Sequence, residues 1–306
     1  MELTVGPLLF HWATDAWSDF YARLADEAPV DRVVIGEAVC SKRLPLYADR
    51  VLEAAERLER GGKSVVLASL ALVTLPRERR AAAGLFAQND HEVEIDDLTL
   101  MRWVGKDRQA DKPAFSIGPL VNVYNESTLG FFAGRGARAV CLPPELPFAS
   151  VASLAAAARP LGIGVEVFAF GRVPLAISAR CYHARVHGRT KDSCQFVCDQ
   201  DPDGMVVKTL DGQDFLAVNG VQTLSYNCCN LIDDVGTLRG AGVTALRLSP
   251  HSGDFVAVCQ AFRHAVDGSG DDRSAVLTTQ VPTMPYSRGF MFGSTGAQQS
   301  RTLNQG

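Results

Sequence analysis

Short apolar runs alternate along the chain with stretches whose apolar positions recur every three or four residues. LTVGPLLF (3–10) precedes SDFYARLADEA (18–28), RVVIGEAV (32–39) precedes PLYADRVLEAAERLERGGK (45–63), and SVVLASL (64–70) precedes PRERRAAAGLFAQ (76–88). HEVEID (91–96) leads into DLTLMRWVG (97–105), AFSIGPL (114–120) into ESTLGFFAGRG (126–136), and ARAVCL (137–142) into PFASVASLAAAARPLG (147–162). GVEVFAF (164–170) follows, and VTALRLS (243–249) leads into GDFVAVCQAFRHAVDG (253–268). Most of these eight strand candidates are continuous rather than alternating. That pattern suits parallel strands covered on both faces. Strands that alternate with helices predict βα units, and eight of them predict a (β/α)8 TIM-type barrel. An open doubly wound parallel sheet is the alternative, because periodicity does not tell whether a sheet closes.

One segment breaks the alternation. MVVKTLDGQDFLAVNGVQTLSYN (205–227) alternates β-branched and polar residues around Asp-Gly and Asn-Gly pairs, the residues of tight hairpin turns. It predicts an inserted β-hairpin. With the cysteine-rich stretch before it, the insertion spans about 178–230 of a single barrel domain, 1–292. GSTGAQQSRTLNQG (293–306) is small and polar and is expected to form a flexible tail.

The composition adds bounds. With 306 residues, 47% hydrophobic and 21% charged, the chain can bury a sizeable core. A net charge of −4 gives no basic footprint for nucleic acid. No run reaches the roughly 18 apolar residues of a membrane span, so no transmembrane segment is expected. The start, MELTVGPLLFHWATD, lacks the basic opening and long apolar stretch of a signal peptide. A cytoplasmic location is therefore expected, and there the eight cysteines are not expected to pair as structural disulfides. Metal binding, catalysis or plain burial must account for them.

Cys181, Cys194 and Cys198 crowd into SARCYHARVHGRTKDSCQFVCDQ (178–200), and Cys194-x3-Cys198 puts two thiols on one turn of chain. The best fourth candidate is Cys40, in GEAVCSKRLP after the second strand. In a barrel, Cys40 and Cys181 would both lie on the face where the strands end, which is where active sites form. Four thiolates suit zinc or an iron–sulfur cluster. A redox dithiol and unligated thiols remain open. Cys141 and Cys259 fall in apolar elements and suit burial, and either of the adjacent pair Cys228 and Cys229 could replace a member of the set.

Other polar residues weigh less. His183 and His187 share one helical face at i and i+4 and suit packing or hydrogen bonding better than ligation. His11, His91, His251 and His264 have no partner pattern. Glu37, Asp96 and Glu166 are expected at or near strand ends, where paired carboxylates suit acid–base work or simple lining of a barrel mouth. Arg172, Arg180 and Arg247 could hold an anion. No phosphate loop, dinucleotide fingerprint, GxSxG or HExxH is present, so no nucleophile or zinc motif supports peptidase activity.

EVFAFGRVPLAISARC (166–181) resembles the central motif of the U32 peptidase family, Glu-x-Phe-x-His-Gly-x-x-Cys followed by Ser-Gly-x-Cys. Glu166, Phe168, Gly171, Ser178, Arg180 and Cys181 fit; Phe170, Pro174 and Ala179 replace its His, first Cys and Gly. With LTVGPLLFHW and GEAVCSKR, these departures resemble one branch of the family, the UbiV-like proteins of O2-independent ubiquinone biosynthesis. The resemblance implies a 4Fe–4S cluster held by Cys40, Cys181, Cys194 and Cys198. It implies a heterodimer with a UbiU-like U32 protein. It also implies hydroxylation of a quinone precursor with prephenate as the expected hydroxyl donor. Another U32-type enzyme, such as an RNA-modifying hydroxylation factor, and a structural zinc-binding partner protein are the rival expectations.

Overall fold

The structure is a computed structural model that describes residues 1–87, 91–104, 113–268 and 285–298. In chain order its strands are β1 (Glu2–Val5), β2 (Arg32–Ile35), β3 (Ser64–Ala68), β4 (Glu92–Ile95), β5 (Phe115–Ile117), β6 (Ala139–Leu142) and β7 (Gly164–Ile177). They continue with β8 (Met205–Lys208), β9 (Asp214–Asn219), β10 (Gln222–Asn230), β11 (Ala245–Leu248) and β12 (Tyr286–Ser287). Strands β1 to β7 pair in order and in parallel. β11 then pairs in parallel with both β7 and β1, which closes an eight-stranded barrel. The open-sheet alternative is thereby excluded.

Helices α1 (Thr14–Glu27), α2 (Leu44–Arg60), α3 (Pro76–Ala87), α4 (Glu126–Gly134), α5 (Phe148–Ala158), α6 (Tyr182–Val186), α7 (Val235–Gly240) and α8 (Phe255–Asp267) surround the barrel or its insertion. The segment expected to be helical at 97–105 forms only a 3-10 turn, Leu98–Arg102, begun by Asp97, whose side chain accepts from the Thr99 N–H at 2.8 Å. Positions 88 and 105, where two expected helices end, lie outside the described residues.

The core sits between the outward strand faces and the helices, where Val33, Ile35, Leu24, Phe132 and Phe262 are almost wholly buried. Apolar burial of this kind stabilises by about 25 cal/mol per Å². The barrel interior is different. Strand β4 alternates, and Glu92, Glu94 and the following Asp96 are all buried. Arg32 forks onto Glu92 at 2.6 and 2.8 Å. Arg247 on β11 donates to both Glu94 and Glu166, so a fully buried cation is bracketed by two carboxylates. Opposite charges and hydrogen bonds offset the cost of taking these groups out of water.

The insertion is larger than one hairpin. β7 runs past the barrel rim and pairs antiparallel with β10, which pairs with β9, which pairs with β8. The Asp211-Gly212 and Asn219-Gly220 turns are both present and close two successive hairpins. The first residues of the expected tail are tied down: the Gln298 carbonyl accepts from the Arg288 N–H at 3.2 Å and the Ala297 carbonyl from Asn227 Nδ2 at 2.9 Å. Residues 299–306 lie outside the described residues.

Candidate metal centre at the barrel mouth

Two loops build the site. After β2, Glu37 folds the chain back on itself: its Oε1 accepts the N–H groups of Val39 at 2.7 Å and Cys40 at 2.9 Å. Lys42 and Arg43 follow before α2 begins. The second loop leaves the extension of β7. Cys181 opens α6, accepting the Ala184 N–H on its Sγ at 3.4 Å and donating to the Gly220 carbonyl at 3.2 Å. Gln195 and Phe196 take left-handed backbone angles, φ 47° and 54°, and turn the chain between Cys194 and Cys198.

The loops are laced together by the two cations after Cys40. Lys42 Nζ donates to the carbonyls of Lys191 (2.8 Å) and Asp192 (2.9 Å) and reaches Cys194 Sγ at 3.5 Å. Arg43 Nη2 reaches Cys198 Sγ at 3.4 Å and Asn219 Oδ1 at 2.6 Å. Burial raises the Cys198 pKa; Arg43 opposes that rise, while the nearby Cys181 and Cys40 add to it. Burial likewise raises the Cys40 pKa, again opposed by Arg43. All four candidate thiols are buried and free, and Cys181 and Cys40 lie near enough to Cys198 to act on its charge. Among the described residues, no three His, Cys, Asp or Glu side chains are spaced to hold a single metal ion. A lone tetrahedral zinc, with Zn–S bonds of about 2.3 Å, would need its sulfurs about 3.8 Å apart. An iron–sulfur cube takes each thiolate on a different iron and so accepts a wider set.

The floor of the site comes from residues that sequence reasoning did not mark. Asn219 is wholly buried. Its Nδ2 donates to the carbonyls of Cys198 (2.9 Å) and Asp201 (2.8 Å), and its Oδ1 accepts from the His11 N–H (3.2 Å) as well as from Arg43. Gly220 stands at φ +68°, and a Cβ there would lie 2.6 Å from Arg43 Nη2. The Asn-Gly pair announced a turn, but nothing in its spacing announced that the turn would support the cysteines. Arg43 is almost wholly buried, its nearest carboxylate is Glu37 at 3.9 Å, and its Nε has no hydrogen-bond partner. A buried, under-paired guanidinium calls for negative charge close by, and thiolates of this set would supply it.

The remaining candidates are elsewhere or have other work. His183 is wholly buried behind the loop, its Nδ1 3.2 Å from the Val218 carbonyl and its Nε2 3.1 Å from Asp201, and it stacks on His187. His11 shares a 2.7 Å hydrogen bond with the Tyr47 hydroxyl, and burial, with help from Arg43, lowers its pKa to about 4. His251 packs against Phe170 and Phe255. His91 pairs with Glu59, and His264 is exposed on α8. Asp96, Glu166 and Arg247 belong to the barrel interior. Arg172 binds the carbonyls of Ser225 and Tyr226, where β10 bulges, and Arg180 is exposed. Cys141, Cys228, Cys229 and Cys259 are buried in strands β6 and β10 and helix α8.

A closed parallel barrel of eight strands with helices between them defines the class of this protein, a TIM-type (β/α)8 barrel. Residues 18–301 match the profile of Peptidase family U32, and the chain belongs to that family. Among solved structures it is similar to a putative fructose-1,6-bisphosphate aldolase from Coccidioides immitis, at 11% identity and a TM-score of 0.41, covering 92% of this chain and 90% of that one. It is also similar to an uncharacterized B. cereus protein, at 13% identity and a TM-score of 0.42, covering 81% of this chain and 61% of that one. Among the described residues no helix is long and apolar enough to cross a membrane.

Proposed function

We propose that this U32 protein holds a 4Fe–4S cluster on Cys40, Cys181, Cys194 and Cys198 and serves O2-independent hydroxylation in ubiquinone biosynthesis, as one half of a heterodimer with a UbiU-like relative. One observation carries the cluster reading: the Cys40 loop and the Cys181–Cys198 loop are laced together through Lys42 and Arg43, both of which reach cysteine sulfurs. Hydrogen bonds and positive charge at the sulfurs are the protein's means of holding such a cluster and setting its potential. A bound cluster would supply one-electron chemistry. The biosynthetic role rests on the resemblance of segments 3–12, 36–43 and 166–181 to the UbiV-like branch.

The test is anaerobic isolation of the full chain. Iron and acid-labile sulfide in equal amounts are expected, with a brown colour that bleaches in air. Cys40→Ala should lose most of both. Stoichiometric zinc without iron, or a full iron complement in Cys40→Ala, would refute the assignment. For the biological role, deletion should abolish ubiquinone only during anaerobic growth.

A further inference from the structure

From Val167 to Lys191 the chain carries Arg172, Arg180, Arg185, Arg189 and Lys191 and no Asp or Glu, although its net charge is −4. Three of these cations are spent within the fold. Arg172 binds the Ser225 and Tyr226 carbonyls, Arg189 the Cys194 carbonyl at 3.2 Å, and Lys191 the Ala179 carbonyl at 3.2 Å. Arg180 and Arg185 are exposed, and among the described residues their side chains make no hydrogen bond or ion pair. Arg180 directly precedes Cys181, and Arg185 follows one turn later on α6. Beside them stand Tyr182 and Val186, 51% and 53% exposed, which share the outer face of α6 at i and i+4. The inner face of α6, with His183 and Ala184, is buried, and Asp201 is turned onto His183 at 3.1 Å. Along the chain, the first exposed acid past this run is Asp192.

Two uncompensated guanidinium groups around a small apolar centre attract an acidic partner. Charges are felt over roughly 10 Å at 0.1 M salt, so the local surface and not the chain's total charge governs the encounter. One ring and one valine on a helix of 5 residues are too little for a membrane anchor, and the acidic chain as a whole offers nucleic acid no basic footprint. Small, charge-guided surfaces suit the brief encounters of electron carriers. The place in the fold points the same way: Cys181 lies between Arg180 and Tyr182 and is 8% exposed, so an occupant of this face rests against the cysteine loop. We propose that the outer face of α6, with Arg180 and Arg185, docks an acidic one-electron carrier protein of the ferredoxin or flavodoxin class. The inference rests on the cluster reading and names the partner of that same site. One electron passes from the reduced carrier to the cysteine-bound cluster of that reading; the carrier is oxidised, and no bond is made or broken.

The test uses the anaerobically isolated full chain, alone and joined to the UbiU-like relative, in calorimetric titrations with an acidic 2Fe–2S ferredoxin, with flavodoxin and with the basic carrier cytochrome c. Both acidic carriers should bind saturably, more weakly as salt rises from about 0.05 to 0.3 M, and cytochrome c should not bind. Arg180→Glu combined with Arg185→Glu should weaken carrier binding at least about 10-fold by setting like charges against each other. Arg60 and Arg159 are exposed where α2 and α5 end, so Arg60→Glu combined with Arg159→Glu makes the same change in charge at a distance and should leave binding as it was. Both paired variants should keep the circular dichroism and iron content of the wild type. No saturable binding of either acidic carrier, equal losses in the two paired variants, preference for anionic phosphatidylglycerol vesicles, or loss of binding once the relative is joined would overturn the proposal. A wild-type chain without iron refutes the cluster reading and this inference with it, whereas a chain with its full iron that binds neither acidic carrier refutes this inference alone.

Discussion

Replacing Gly220 by alanine separates a local backbone cost from a cost to the cysteine site. Gly212 and Gly220 close the two hairpins of the insertion, at φ +84° and +68°. An alanine at either position pays roughly 1 kcal/mol for a left-handed backbone. The difference lies in the space around the new Cβ. At Gly212 nothing lies within 4 Å; at Gly220 Arg43 Nη2 lies 2.6 Å away. The guanidinium must then move, and it loses its 2.6 Å bond to Asn219 and its 3.4 Å contact with Cys198. Hydrogen bonds to a charged group contribute about 1.5–3 kcal/mol, and the contact with sulfur is the weaker of the two. The expected total is about 3–4 kcal/mol for Gly220→Ala against about 1 for Gly212→Ala. At roughly 2–4 °C per kcal/mol for a chain of this size, the melting midpoint falls by about 6–16 °C in the first case and about 2–4 °C in the second. Thermal unfolding followed by circular dichroism measures both, and iron content should drop only in Gly220→Ala. Equal shifts with equal iron in the two variants would show that the turn does not support Arg43.

Three further outcomes are expected. Burial, then the Glu94 charge, raise the Asp96 pKa to about 8, while an unfolded Asp releases its proton near 4. Native protein therefore binds the extra proton between about pH 4 and 8, stability falls through that window and levels off above it, and the stability of Asp96→Asn relative to wild type should climb across the same window in urea titrations; a gap that does not change with pH would contradict this. Arg247→Met should cost about 3–5 kcal/mol by leaving two buried carboxylates unpaired, and adding Glu94→Gln and Glu166→Gln should restore part of it; a triple variant no more stable than the single one would count against the ion cluster. Lys42→Met should release the loop at Lys191 and Asp192 and hasten tryptic cleavage after Arg189, with the barrel's own unfolding midpoint little changed; unaltered cleavage would mean that the lysine latch contributes nothing.

The sequence determined the alternation of parallel strands and helices. Continuous apolar strands such as RVVI and SVVLA fit only where both faces are covered, and all eight runs lie within or across barrel strands. It determined the crowding of Cys181, Cys194 and Cys198, because their spacing is local. It also marked the Asp-Gly and Asn-Gly turns. Closure was beyond its reach: that depends on β11 pairing with both β7 and β1, a contact between distant segments that no local period encodes. The same holds for β4, where HEVEID looked like an ordinary strand, and only the closed barrel, which turned its charges inward, gave them Arg32 and Arg247 as partners. The approach of Cys40 to the other thiols, and the service of Arg43, Asn219 and Gly220 beneath them, likewise came from tertiary structure alone, since burial, charge compensation and shape at a site are properties of segments brought together and not of any one of them.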